Sequence, residues 1–362
     1  MTPYRSVRDF DWPLILTALL ISGIGILQIY SATAGTKFAD AWWKQIIFVC
    51  AGLVLMWVIA SIDYHSLLAQ VPLLYLASLA GLVLVLLVGV KIYGARRWLS
   101  VGGFHFQVSE FVKLVLILVV ARFLTEVRTE TLDLAGFLKL SVIVLIPTLL
   151  VAKEPDLGTA LTYLPVLAIG AFLAGLRWKY IVVIGLVVLV VLPAGWYALK
   201  DYQKARLVTF MNPEADPQGS GYQLIQSRIA VGSGGMWGKG VTQGTQTNLE
   251  FLPVPHADFI LASFAEEHGF VGVVGVLTLY FVLLMQIVQN AQTATDRAGM
   301  YICMGVAAVL LFHIFVNVAM VVGNAPVTGI PLPLMSAGGS NTLSTFLALG
   351  LVNNVRLRRF VN

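Results

Sequence analysis

SLLAQVPLLYLASLAGLVLVLLVGV, residues 66–90, contains no Asp, Glu, Lys or Arg. A helix needs roughly 20 apolar residues to cross a bilayer core of about 30 Å, and this run exceeds that. Working outward, uncharged runs of the same kind cover 13–36, 45–62, 157–176, 180–199 and 269–295. The stretch 298–355 is long enough for two more helices, divided by the Pro/Gly segment Pro326–Gly339. Two weaker runs complete the set: 109–124, opening Ser109-Glu110-Phe111-Val112-Lys113, and 137–152, bounded by Lys139 and Lys153. The pattern predicts an all-α, polytopic integral membrane protein of about ten transmembrane helices.

Composition agrees. Of 362 residues, 58% are hydrophobic and 11% charged, against about 25% charged in a soluble chain. This excludes a disordered chain and an ordinary soluble enzyme. The net charge of +5 is spread thinly, with no basic footprint for nucleic acid; it suits loops against membrane lipids or phosphate. Cys50 and Cys303 lie in apolar runs and read as small core hydrophobes. The first run follows Arg5 and Arg8 but is too long for a signal peptide, so it reads as a retained first helix.

An even number of spans puts both termini on one side. Arg5, Arg8, Arg122, Arg128, Arg177, Lys179, Arg297, Arg356, Arg358 and Arg359 fall on that side, which makes both termini cytoplasmic by the positive-inside rule. The chain then reads as a single membrane domain, 1–362. Residues 1–199 hold helices 1–7, 200–257 a large extracytoplasmic loop between helices 7 and 8, and 258–362 helices 8–10. Within the loop, 222–231 reads as a short interfacial helix. Lys91, Arg96, Arg97 and Lys153 sit on the translocated side, against the topological rule, which points to a ligand there.

A charge at mid-bilayer costs at least about 2.5 kcal/mol, so each carboxylate beside an apolar run needs a reason. Glu110 and Lys113, three apart, share a helix face and read either as a structural ion pair or as a charged cavity wall. Asp156, in Lys153-Glu154-Pro155-Asp156-Leu157-Gly158-Thr159, reads either as an N-cap or as part of a site. Asp258, in His256-Ala257-Asp258, again reads as an N-cap or as a general base entering an apolar helix. With Glu266, Glu267 and His268 this region also offers oxygen ligands to a divalent cation. Ser233-Gly234-Gly235-Met236-Trp237-Gly238-Lys239-Gly240 lacks the Walker glycine spacing and the Ser or Thr after Lys, so no nucleotide is expected. Its exposed backbone N–H groups can still meet a pyrophosphate. The uncharged segment Gly329–Ser340 reads as a re-entrant piece or a tight turn.

Several of these segments recur together, in order. They are Gly94-Ala95-Arg96-Arg97-Trp98-Leu99, Gln107 to Lys113, Glu154 to Thr159, Asn212-Pro213 with Asp216-Pro217, Gly221 to Ser227, Phe251-Leu252-Pro253, His256 with Asp258-Phe259-Ile260, Ala265-Glu266-Glu267, and Pro326 to Pro333. In this order they resemble the SEDS family (shape, elongation, division and sporulation) over nearly the whole chain. Gly244-Thr245-Gln246 and Leu249-Glu250-Phe251-Leu252-Pro253 are worded more like its elongation branch than its division branch. The chain departs from the family pattern at Ala257 (usually Thr), Val254-Pro255 (usually Glu-x) and Ala337 (usually aromatic), side chains that would bear on positioning and metal ligation.

The resemblance implies a peptidoglycan glycosyltransferase of the bacterial inner membrane. Its substrate would be lipid II, polymerised by inverting attack of a GlcNAc 4-OH on a lipid-pyrophosphate-linked MurNAc, and its partner a class B penicillin-binding protein, a transpeptidase. It places the family's key acid on Asp258 and its charged helix pair on Glu110 and Lys113. With that chemistry, Arg96, Arg97, Lys113 and Lys239 become candidates to hold the pyrophosphate, with Mg²⁺ or Mn²⁺, and Asp156 and His256 join the substrate side. Two rivals use the same features: a lipid II flippase, and a non-catalytic scaffold for the transpeptidase.

Overall fold

The computed structural model describes residues 9–92, 95–101, 104–127, 131–198, 201–215, 221–249 and 251–359. Arg5, Arg8, Gly94, Arg128, Asp216, Pro217 and Glu250 lie outside them. The chain starts with α1 (Trp12–Thr33) and α2 (Ala41–Ser61), then a third pass in two pieces, α3 (Tyr64–Ala69) and α4 (Val71–Val88). A three-stranded antiparallel sheet follows, β1 (Val90–Ile92), β2 (Ala95–Val101) and β3 (Phe104–Phe106), in order β1-β2-β3. Next come α5 (Val108–Glu126), α6 (Leu134–Lys153), the split pass α7 (Leu157–Leu161) and α8 (Leu164–Leu173), and α9 (Trp178–Ala198). The loop region holds α10 (Asp201–Met211), α11 (Tyr222–Ser233) and α12 (Thr245–Asn248), before α13 (Ile260–Gln292), α14 (Arg297–Val321) and α15 (Gly339–Leu357). These elements make ten passes, as the apolar runs predict. The sheet and α10 were not anticipated, and neither carries a long apolar run.

Six helices, α1, α2, α4, α6, α13 and α14, are by themselves long and apolar enough to cross a membrane. Large apolar side chains such as Leu16, Leu87, Val190, Phe281 and Phe315 are exposed on the outside of the bundle, as they are in contact with lipid. Cys50 belongs to this outer surface rather than the core; Cys303 is buried. The last pass is the opposite case. Ser340, Asn341, Thr342, Ser344, Thr345, Asn353 and Asn354 of α15 are all buried, so α15 is shielded by its neighbours and spends its polar groups inside. Gln45 of α2 donates to Thr342 Oγ1 at 2.9 Å.

The starts of α1 and the ends of α13 and α15 are tied together. Asp11, the N-cap of α1, accepts from Arg356 Nη1 at 2.9 Å and Asn290 Nδ2 at 2.6 Å. Both ends of the described chain therefore lie at the same end of the bundle.

The eighth pass begins at Ile260, close to the boundary at 258, and so includes Glu266, Glu267 and His268 ahead of its uncharged run. The helix breaks at Gly269 (φ 65°, ψ −166°), a conformation open essentially to Gly alone. The glycine-rich run repairs the break. Lys239 N and Gly240 N donate to Glu266 O and Glu267 O at 3.0 and 2.9 Å, while Phe270 N and Val271 N donate to Gly235 O and Met236 O at 2.9 and 3.2 Å. Buried backbone groups must be paired, and here the loop supplies the pairs. The run that resembled a phosphate loop is thus a backbone interlock.

Candidate functional site

Asp258 precedes α13 and does not cap it: Phe259 is the N-cap residue, without a side-chain cap bond. The segment carrying Asp258 is instead held by the piece between α14 and α15. Ala337 N donates to His256 O at 2.9 Å, Ser336 Oγ to Ala257 O at 2.7 Å, and Asn317 Nδ2 of α14 to Asp258 O at 3.0 Å. Asn317 also donates to Ile330 O at 2.9 Å, so one amide fastens both segments. The Pro/Gly stretch is therefore a tucked-in clamp, the re-entrant reading rather than the tight turn. Its backbone fixes where the Asp258 carboxyl points.

Asp156 reaches the same place from the sixth pass. It is the N-cap of α7, accepting from Thr159 N at 3.1 Å, and it also accepts from Gln107 Nε2 at 2.9 Å. The N-cap reading of Asp156 is thus observed, in a carboxylate that also lies beside Arg97. Gly158 permits the approach: a Cβ there would lie 2.6 Å from Thr328 O. Arg97 of β2 lies with its Nη1 3.7 Å from Asp156 Oδ1 and donates through Nη2 to Pro155 O. Alternation along the strand leaves its neighbour Arg96 exposed. A cavity of about 70 Å³ opens here, walled by Arg97, Gly158, Gln203, Arg206, Val327 and Thr328.

Arg206, on α10, is the cation that sequence reading missed. The signal available was Arg206 in a loop already read as extracytoplasmic, but nothing local tied it to Asp258. Folding brings it and Arg97 close enough to act on the same carboxyl. Burial raises the Asp258 carboxyl above the ordinary value of 3.8; Arg206 and Arg97 oppose the rise and Asp156 adds to it. Glu154, between α6 and α7, is also missed by the sequence reading as a group of its own. It is 1% exposed, and neither carboxyl oxygen has a hydrogen-bond partner. Burial, with repulsion from Asp156 against the pull of Arg97, pushes it up to about 8, so it carries its proton at neutral pH.

The remaining predicted residues lie elsewhere. His256 packs against Phe38 with centroids 4.9 Å apart and ring planes tilted by 40°, and burial lowers its imidazole below 6.5. Glu110 and Lys113 form a buried pair at 2.7 Å inside the bundle, both 3% exposed. Lys113 Nζ also lies 3.5 Å from His313 Nε2 of α14, and Ser344 Oγ of α15 donates to Glu110 Oε2 at 3.3 Å. Beside them a cavity of about 10 Å³, lined by Asn341, has room for about one water. Lys239 pairs with Glu266 at 2.7 Å and donates to Thr245 Oγ1 at 2.8 Å. Its charge is spent on holding the loop to α13.

Among the described residues no three His, Cys, Asp or Glu converge into a metal-binding group. The carboxylates near Arg97 do not make a resident cage. They match the one or two protein ligands of an ion that takes its other oxygens from a bound phosphate.

Ten passes around a buried, polar last helix define a multi-pass membrane protein. Known proteins share this design. A family model for FtsW, RodA and SpoVE, described as a cell cycle protein, matches residues 11–359. The peptidoglycan glycosyltransferase MrdB of Escherichia coli (strain K12) is 40% identical, covering 96% of this chain and 92% of its own. The peptidoglycan glycosyltransferase RodA of Treponema pallidum is 34% identical, covering 98% and 99%. A solved chain from a peptidoglycan synthase complex, described for its structural coordination of polymerization and crosslinking, superposes with TM-score 0.84 at 32% identity, covering 98% and 99%. The chain belongs to the FtsW/RodA/SpoVE family.

Proposed function

We propose that this chain, a peptidoglycan glycosyltransferase, polymerises lipid II into glycan strands during cell elongation, at the bacterial inner membrane with both termini cytoplasmic. The observation that carries the site is that Arg97 and Arg206, which wall one cavity, both act on the Asp258 carboxyl, with Asp156 beside Arg97 and the Asp258 backbone clamped by Asn317, Ser336 and Ala337.

The geometry supports a direct displacement. The 4-OH of the acceptor GlcNAc attacks the anomeric carbon of the donor MurNAc, and its proton passes to the Asp258 carboxylate. The new O4–C1 bond forms as the bond from C1 to the pyrophosphate oxygen breaks, with inversion. The electron pair leaves on the lipid pyrophosphate, whose growing negative charge Arg97 and Arg206 neutralise. A raised carboxyl makes Asp258 a stronger base than an exposed Asp. Lys113 and Lys239, each neutralised by its own glutamate, support the bundle and the loop in this reading. A class B penicillin-binding protein is the proposed partner. Mg²⁺ or Mn²⁺, if bound, would be shared between Asp156 or Asp258 and the pyrophosphate, and would add positive charge to the leaving group.

The test is polymerisation of fluorescent lipid II by the purified complex with its cognate transpeptidase, crosslinking blocked by penicillin. Glycan ladders from wild type and none from Asp258→Ala are expected. Equal ladders from both remove Asp258 as the base. No ladder from either, with the complex intact, moves the assignment to a flippase or a scaffold.

A further inference from the structure

The glycine-rich run that interlocks with α13 carries an apolar tip. Gly235 and Gly238 take φ 55° and 80°, values that cost Gly little, and Gly238 N donates to Gly234 O at 2.8 Å. The turn between them leaves Met236 and Trp237 57% and 80% exposed. Apolar area shown in this way marks a surface that meets another apolar surface. Lys239 is the one charged residue from 233 to 243, and Glu266 holds it at 2.7 Å. Charge therefore does not decide what the tip meets.

The backbone fixes the height of the tip along α13. Val271 N donates to Met236 O at 3.2 Å and Phe270 N to Gly235 O at 2.9 Å, and a Cβ on Gly238 would lie 2.2 Å from Glu267 O. Trp237 is therefore level with the break at Gly269. The same level divides α13. Every residue from Ile260 to Glu267 is buried, and exposed apolar side chains begin at Phe270 and Val271. From 269 to 295 there is no Asp, Glu, Lys or Arg. The helix beyond the break, Phe270 to Gln292, is about 34 Å long at 1.5 Å per residue, enough to cross a hydrocarbon core of about 30 Å. The break thus stands where the lipid-facing surface of α13 begins, and the tip lies beside it. Exposed Val241 continues the patch toward α1, where it lines one groove with exposed Leu27.

We infer that Met236 and Trp237 anchor this loop in the membrane, the tip resting at the headgroup–acyl boundary of the leaflet that borders it. Tryptophan is a side chain that this boundary favours, because its ring fills apolar space while its indole N–H meets ester oxygens or water. The partner is the lipid surface itself, and zwitterionic lipid suffices, since the tip's one cation is already held by Glu266. Because the run is hydrogen-bonded to α13 on both sides of the break, the anchor fixes the loop at one depth in the bilayer.

The full chain is reconstituted in phosphatidylcholine vesicles, part of the lipid being replaced by phosphatidylcholine brominated near the ester end or near the methyl end of its chains. Bromine quenches indole fluorescence on contact. Trp237 is one of eight tryptophans, so its signal is the difference between wild type and Trp237→Phe, a conservative change at an exposed position. That difference should be largely lost with bromine near the ester end, less reduced with bromine near the methyl end, and little affected by acrylamide in the water. A difference quenched by acrylamide and untouched by either bromine overturns the inference. Ester-end quenching that disappears when the cognate transpeptidase is bound gives the patch to that partner and overturns it too. Limited proteolysis of the vesicles is a second readout, independent of fluorescence. Trp237→Asp puts a charge on the tip and should speed cleavage between 234 and 249, while Trp237→Phe keeps the wild-type rate. Equal rates in all three proteins remove the anchor.

Discussion

At the scale of single residues, the site rests on two acids whose surroundings push them in the same direction to different ends. Burial raises Asp258, and two arginines hold the rise back. Asp258→Asn should therefore lower the polymerisation rate by roughly 10² to 10⁴, the usual worth of a positioned base, with protein level and melting temperature unchanged. The acid limb of the pH–rate profile should lie above the ordinary 3.8 of an aspartate. Arg206→Met removes an opposing cation, so that limb should move to higher pH; an unmoved limb would separate Arg206 from the site. At Glu154 the pull of Arg97 is outweighed by burial and by Asp156. Between 4.5 and about 8 the unfolded chain has released this proton while the fold keeps it, so stability falls as pH rises through that window. Glu154→Gln should raise the melting temperature at pH 8 and leave it nearly unchanged at pH 4.

At the scale of elements, the charges of α5 are a matter of the bundle. Removing one partner of a buried ion pair costs about 3–5 kcal/mol, because the other is left unpaired. Lys113→Met should accordingly lower the melting temperature in detergent sharply, and the double variant Glu110→Gln/Lys113→Met should recover most of the loss. A double variant no better than the single one would give Lys113 a role beyond its pair. The interlock between the glycine-rich run and the break in α13 is likewise a property of two elements. Neither has a complete set of backbone hydrogen bonds without the other.

For the whole molecule, that interlock and the Lys239–Glu266 pair dock the loop between α9 and α13 on the bundle. Glu266 Oε1 also accepts from Thr245 Oγ1 at 3.1 Å and Gln246 N at 3.0 Å. Lys239→Met leaves this carboxylate without its cation, so limited proteolysis between 234 and 249 should become faster, with the transmembrane core unaltered. Cleavage at the wild-type rate would show that the backbone bonds alone hold the loop.

The ten passes were legible in the sequence because the membrane acts on each helix separately. A run of about 20 uncharged residues is a local quantity, and the hydrocarbon imposes it. The acids were legible for the same reason, since a carboxylate such as Asp156 or Asp258 beside an apolar run stands out. Their alignment was not. Arg206, Asn317 and Glu154 join the site only through contacts between distant segments, and Lys113 and Lys239 leave it because Glu110 and Glu266 meet them first. The sequence by itself determined the class of protein and the number of crossings, and it singled out Asp258 as a carboxylate beside an apolar run. Only the tertiary structure decided which cations face that acid, because electrostatic and hydrogen-bond partners depend on distance in space, which spacing along the chain does not record.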